Sequence, residues 1–169
     1  MFPTPGPLSR DARLRTELVT LLRGGHAHVT VADALAGVPP GRAGERPTGH
    51  AHSLWELLVH LRLAQADILA FTRARGDAAR YTEPAWPAGY WPASAAGPGD
   101  WEREHAAFLA DLDALVALVH DPFTDLFAEF AGAPGYTALR EALLAADHTA
   151  HHIGQVVSLR RALGLWPPA

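Results

Sequence analysis

The chain has no cysteine among its 169 residues. Disulfides and thiolate metal sites are therefore excluded, and any bound metal must take nitrogen and oxygen ligands. No protein thiol can act as a nucleophile, so thiol chemistry would need a thiol brought in as substrate. A basic excess is also missing. The net charge of −4 and pI near 6.2 argue against a nucleic-acid partner held through its phosphates. No apolar run approaches the length of a membrane span. The N-terminus, Met1-Phe2-Pro3-Thr4-Pro5-Gly6, lacks the basic and apolar regions of a signal peptide, so a cytoplasmic protein with no membrane partner is expected. Sustained two-residue alternation bounded by hairpin turns is lacking as well, and no sheet is expected.

What is present is an ordinary globular composition, 49% hydrophobic and 19% charged, on a length that suits one domain over residues 1–169. Four long helical patterns stand out. The first covers residues 8–23, with Leu14, Leu18, Leu21 and Leu22 on one side and Gly24-Gly25 as its stop. A short helix over residues 31–36 precedes a Pro- and Gly-rich stretch. The second long helix begins at Ser53, which forms a Ser-x-x-Glu capping box with Glu56, and runs to about Arg75. Residues 77–99 then make a long connection carrying Tyr81, Trp86, Tyr90 and Trp91; such rings need a surface to pack on. The third helix starts near Asp100 as N-cap and ends at about His120. Thr137 caps the fourth, which runs to about Leu163. The expected fold class is all-α, a four-helix bundle.

The fourth helix contains Asp147-His148-Thr149-Ala150-His151-His152-Ile153-Gly154-Gln155. At about 100° per residue, His148 and His152 lie one turn apart on one face, within reach of one metal ion. Leu144, Gln155 and Leu159 share that face, so it is read as buried, and buried imidazole nitrogens need satisfying. With ten histidines in the chain the spacing alone proves nothing, and hydrogen-bonded core histidines are the alternative. A third ligand should come from a facing helix. His60 shares its face with Leu57, Ala64 and Phe71 and is the candidate. Three neutral imidazoles leave a position open for substrate or water, as in catalytic zinc sites.

Thr149 occupies the place of a zincin glutamate, which disfavours peptide hydrolysis. Glu56 and Asp67, near the His60 face, are candidate catalytic groups: a carboxylate metal ligand, a group that orients an imidazole, or a general base. The alternative for each is a solvated helix-edge carboxylate. Gln155 reads equally as a hydrogen-bond partner of a ligand or as a satisfied core amide, and Gly154 as a point of close helix packing. His26, His28, His50, His52, His105, His120 and His151 are read as loop, edge or surface residues.

With these residues assembled, the sequence resembles the DinB-like superfamily, which includes the YfiT-type metal-dependent proteins. Three matches carry the resemblance: Ser53-Leu54-Trp55-Glu56-Leu57-Leu58-Val59-His60, the His-x-x-x-His-x-Gly-Gln pattern at His148–Gln155, and the aromatic connection around Trp86-Pro87-Ala88-Gly89-Tyr90-Trp91-Pro92. The resemblance implies an up-down-down-up bundle, a divalent metal on His60, His148 and His152, and a homodimer. It also implies transfer of a small-molecule thiol of the bacillithiol or mycothiol class to an electrophile. Zinc or nickel is expected ahead of iron or manganese. The alternative is a non-enzymatic metal-binding protein of the stress response, and a third reading is a metal-free dimeric scaffold.

Overall fold

The computed structural model describes residues 8–97 and 99–168; residues 1–7, which include the segment read for a signal peptide, lie outside the described residues. Five helices appear: α1 (Arg10–Arg23), α2 (Val31–Leu35), α3 (Leu54–Ala74), α4 (Asp100–His120) and α5 (Ala138–Ala162). The signals that start them are local. Ser9, Thr30 and Thr137 each accept a hydrogen bond from a first-turn backbone N–H of α1, α2 and α5. Ser53 and Glu56 form the expected reciprocal capping box on α3. The start of α4 differs from expectation. Gly99, with φ of 76°, is the N-cap, and Asp100 is the first helical residue, its carboxylate turned back to accept from Gly97 N–H.

The four long helices form the bundle, and side-chain bonds between them fix its directions. Arg15, early in α1, donates to the carbonyls of Val119 and Asp121 at the end of α4, while Arg23 at the end of α1 meets Asp113. Those two helices therefore run in opposite senses. Along α3, Arg62 pairs with Glu104 and Gln65 bonds the Phe108 carbonyl, so α3 and α4 run the same way. His60 meets His152, whereas Phe71, further along α3, meets Tyr136 just before α5, so α3 and α5 are antiparallel. The topology is up-down-down-up. Leu22, Leu58, Leu61, Phe108, Leu115, Ile153 and Leu159 are each buried at its centre.

A small hairpin corrects the expectation of no sheet: β1 (Glu129–Phe130) pairs antiparallel with β2 (Ala133–Thr137). Its strands are too short, and too rich in glycine and proline, to show alternation in the sequence. The hairpin closes on the end of α3, where Gly132 N–H donates to the Arg75 carbonyl at 3.2 Å and the Arg75 guanidinium lies over the Phe130 ring. Leu21, expected on the buried side of α1, is 46% exposed, since no neighbouring element among the described residues covers it. No helix among the described residues is long and apolar enough to cross a membrane.

Candidate metal centre

Two antiparallel helices bring the imidazoles together. His60 projects from α3, and His148 and His152 project from successive turns of α5. Their ligand nitrogens all lie within 4.8 Å of one another. His60 Nε2 is 3.1 Å from His152 Nε2 and 3.1 Å from His148 Nε2. Nitrogens bound tetrahedrally at 2.0–2.1 Å would sit about 3.3 Å apart, so two of the three spacings already approach that of a common ion.

The remaining ring nitrogens say which tautomers are present. His60 Nδ1 lies 2.8 Å from the Tyr90 carbonyl oxygen, which can only accept, so Nδ1 carries the proton. His152 Nδ1 likewise donates to Gln155 Oε1 at 2.8 Å, and the Gln155 amide in turn donates to His151 Nε2. In the neutral forms both Nε2 atoms are then lone pairs, 3.1 Å apart, with neither able to donate to the other. Such an arrangement calls for a cation between them. A proton is a poor candidate, because burial holds all three imidazoles below the usual histidine range, His148 down to about 4, helped there by the charges of His152, His60 and His151. A metal ion fits the donor set, and the bonds to Tyr90 and Gln155 are the kind that hold ligand imidazoles in orientation.

The long connection supplies one wall. The Trp91 ring stacks on His60 at 4.1 Å and on His52 at 4.2 Å, a sandwich of indole between two imidazoles. Tyr90 is buried and its hydroxyl donates to Asp67; Tyr81 donates to the other Asp67 oxygen. Burial, with the Asp67 carboxylate, pushes both phenols well above their usual range, so they remain donors. Asp67 thus pins the connection whose backbone orients His60. Glu56 is engaged elsewhere: its carboxylate accepts from Ser53 N–H and Oγ and from Arg46. Neither carboxylate belongs to the three-imidazole group.

Several expectations near the site need correction. Leu144 is 40% exposed because the α3–α5 seam opens there into a cleft. Gly154 is exposed, and a Cβ there would meet nothing within 4 Å, so it mediates no close packing. Trp86 is 78% exposed and packs only loosely, against Tyr90. His105, read as a surface group, has a buried Nε2 without a partner. Sequence reading also left Glu141 unremarked, although it stands seven residues before His148 on the same α5 face, a spacing that would have pointed to it.

Compared with protein-family models, residues 26–156 match the model described as the DinB superfamily, a span that includes all three histidines. Searches of curated proteins and of solved structures return no match.

Proposed function

The chain belongs to the DinB superfamily, and from that premise we propose that it is a metal-dependent enzyme. In this reading it transfers a low-molecular-weight thiol to an electrophile at a divalent ion, zinc or nickel, held by His60, His148 and His152. The observation that carries the reading is the pair of lone pairs on His60 and His152, 3.1 Å apart and both fixed as acceptors by their Nδ1 bonds. A cation shared by both Nε2 atoms relieves that contact while keeping the two hydrogen bonds.

Bound there, the ion would supply a Lewis-acidic position that favours the thiolate form of an incoming thiol at neutral pH. The chain's own residues do the rest. Tyr90 and Gln155 hold the two rings so that Nε2 faces inward. Asp67, gripping both Tyr81 and Tyr90, holds the connection against α3. Trp91 covers the flat side of His60 and keeps water from it. The absence of cysteine fits, since no internal thiol competes for the ion.

The test is metal analysis of the purified protein, followed by conjugation of a bacillithiol-type thiol to a chromogenic electrophile. The expected outcome is one divalent ion per chain and a conjugation rate that vanishes on chelation and in His148→Ala. Metal bound stoichiometrically, with no conjugation across several thiols and electrophiles, would overturn the enzymatic part and leave the metal-binding alternative.

A further inference from the structure

The seam that carries the imidazoles continues past them. Asp67 lies seven residues beyond His60 on α3, and Glu141 seven residues before His148 on the antiparallel α5. Seven residues are nearly two full turns, so each carboxylate keeps the face of its histidine and sits about 10 Å along the seam from it. A cleft of about 460 Å³ opens at that level. Asp67, Glu83 and Glu141 line it together with the rings of Phe71, Tyr81 and Tyr136, and Leu144 stands one turn short of His148.

The charges in this cleft do not balance. Among the described residues Arg140 is the one cation lining it, set against three carboxylates. It is already committed, donating to Glu141 Oε1 at 2.5 Å with its guanidinium over the Tyr136 ring at 4.2 Å. Glu141 is only 2% exposed, and its carboxylate is paired through Oε1 with the Arg140 guanidinium, itself half exposed. Asp67 is held by two phenols and no cation. Burial pushes the Glu141 carboxyl up, and the Asp67 charge pushes it further. A nearly buried carboxylate lining an open cleft with aromatic walls, beside a second carboxylate that no cation pairs among the described residues, suits a positively charged donor.

We propose that this cleft binds the primary ammonium group of a ligand whose other end reaches the three imidazoles. The ligand is thus two-headed: a metal-binding donor such as a thiol at one end and, about 10 Å along the seam, an ammonium between Asp67 and Glu141. The second half of this statement rests on the metal reading above; the first half does not.

Calorimetric titration separates the two. On zinc-loaded protein, aminooctanethiol is compared with hydroxyoctanethiol, which has the same reach and no charge, and with cysteamine, which is too short. The amino thiol should bind about tenfold more tightly than the hydroxy thiol, the effect of one charge-assisted contact. In Glu141→Gln that preference should fall to about twofold or less, with hydroxyoctanethiol and cysteamine binding unchanged. Should that variant fail to fold, Glu83→Gln at the exposed rim should reduce the preference by a smaller factor, about twofold. Equal binding of the two long thiols, or a preference that survives both substitutions, would overturn the ammonium site. On metal-free protein, octylammonium is compared with octanol. A preference there, lost in the same variants, with no thiol binding to the zinc form, would sink the metal reading while leaving the ammonium site standing.

Discussion

At the scale of single residues, the candidate metal centre is a set of proton positions. Two imidazoles are locked as Nδ1–H donors, and all three are held below the usual range by burial first of all. The consequence for stability has a definite sign. An unfolded histidine takes up its proton near pH 6.5, whereas folded His148 resists until about 4. Between those values the unfolded chain binds more protons than the folded one, so each step down in pH favours unfolding. Metal-free protein should therefore keep its full melting temperature above pH 6.5 and lose it progressively toward pH 4, as read by circular dichroism. Added zinc should raise the melting temperature at pH 7.5 and raise it less at pH 5, where protons compete for the same nitrogens. A melting temperature flat from pH 7 to 4.5 would contradict this account.

At the scale of elements, two glycines that look alike in the sequence have opposite roles. Gly132, in the hairpin turn, would place a Cβ 2.4 Å from the Gly76 carbonyl oxygen, a backbone atom that cannot step aside. Gly132→Ala should cost about 1–3 kcal/mol in denaturant unfolding. Gly154, exposed in mid-helix with nothing near its would-be Cβ, should stabilise by about 0.5–1 kcal/mol when replaced by alanine. Periodicity could not distinguish them, because it reports which face a residue takes and not what lies opposite. The same limit explains Leu21 and Leu144, which sit on apolar stripes that no neighbour covers among the described residues. Where a signal is purely local it was legible: the Ser53–Glu56 box, the Thr137 cap and the Gly24 stop. Of the three grouped histidines, His148 and His152 were legible as a pair one turn apart, and His60 through the apolar face it shares on another helix, though spacing alone could not say that the two helices face each other. Tyr90 and Trp91 were visible as aromatics needing a surface, but a connection has no period, so nothing in the sequence says that they land on His60.

At the scale of the whole molecule, the bundle is tied at its ends by buried arginines that an apolar-pattern reading passes over. Arg15 is buried on α1 and donates to the carbonyls of Val119, Asp121 and Thr124 while pairing with Asp11. Arg160, wholly buried on α5, donates to the carbonyls of Ala34 and Leu165. Replacing Arg15 by methionine keeps the volume and strands three carbonyls, so a loss of about 2–4 kcal/mol is expected in denaturant unfolding. Metal content should stay unchanged, because these bonds lie at the far end of α4 from the imidazoles. A loss below 0.5 kcal/mol would mean that water satisfies those carbonyls as well as the guanidinium does.

The shared direction of α3 and α4 has a last consequence. Two 21-residue helices running the same way oblige the chain to travel back the length of the bundle, about 30 Å, before the second can begin. That return strap is the segment that lays Tyr90 and Trp91 beside the histidines and Tyr81 beside Asp67. Within it Tyr90 and Trp91 are tied to His60 and Asp67, whereas exposed positions such as Trp86 are free to change, so a molecule wired this way can alter the rim of its cleft while the three imidazoles stay where they are.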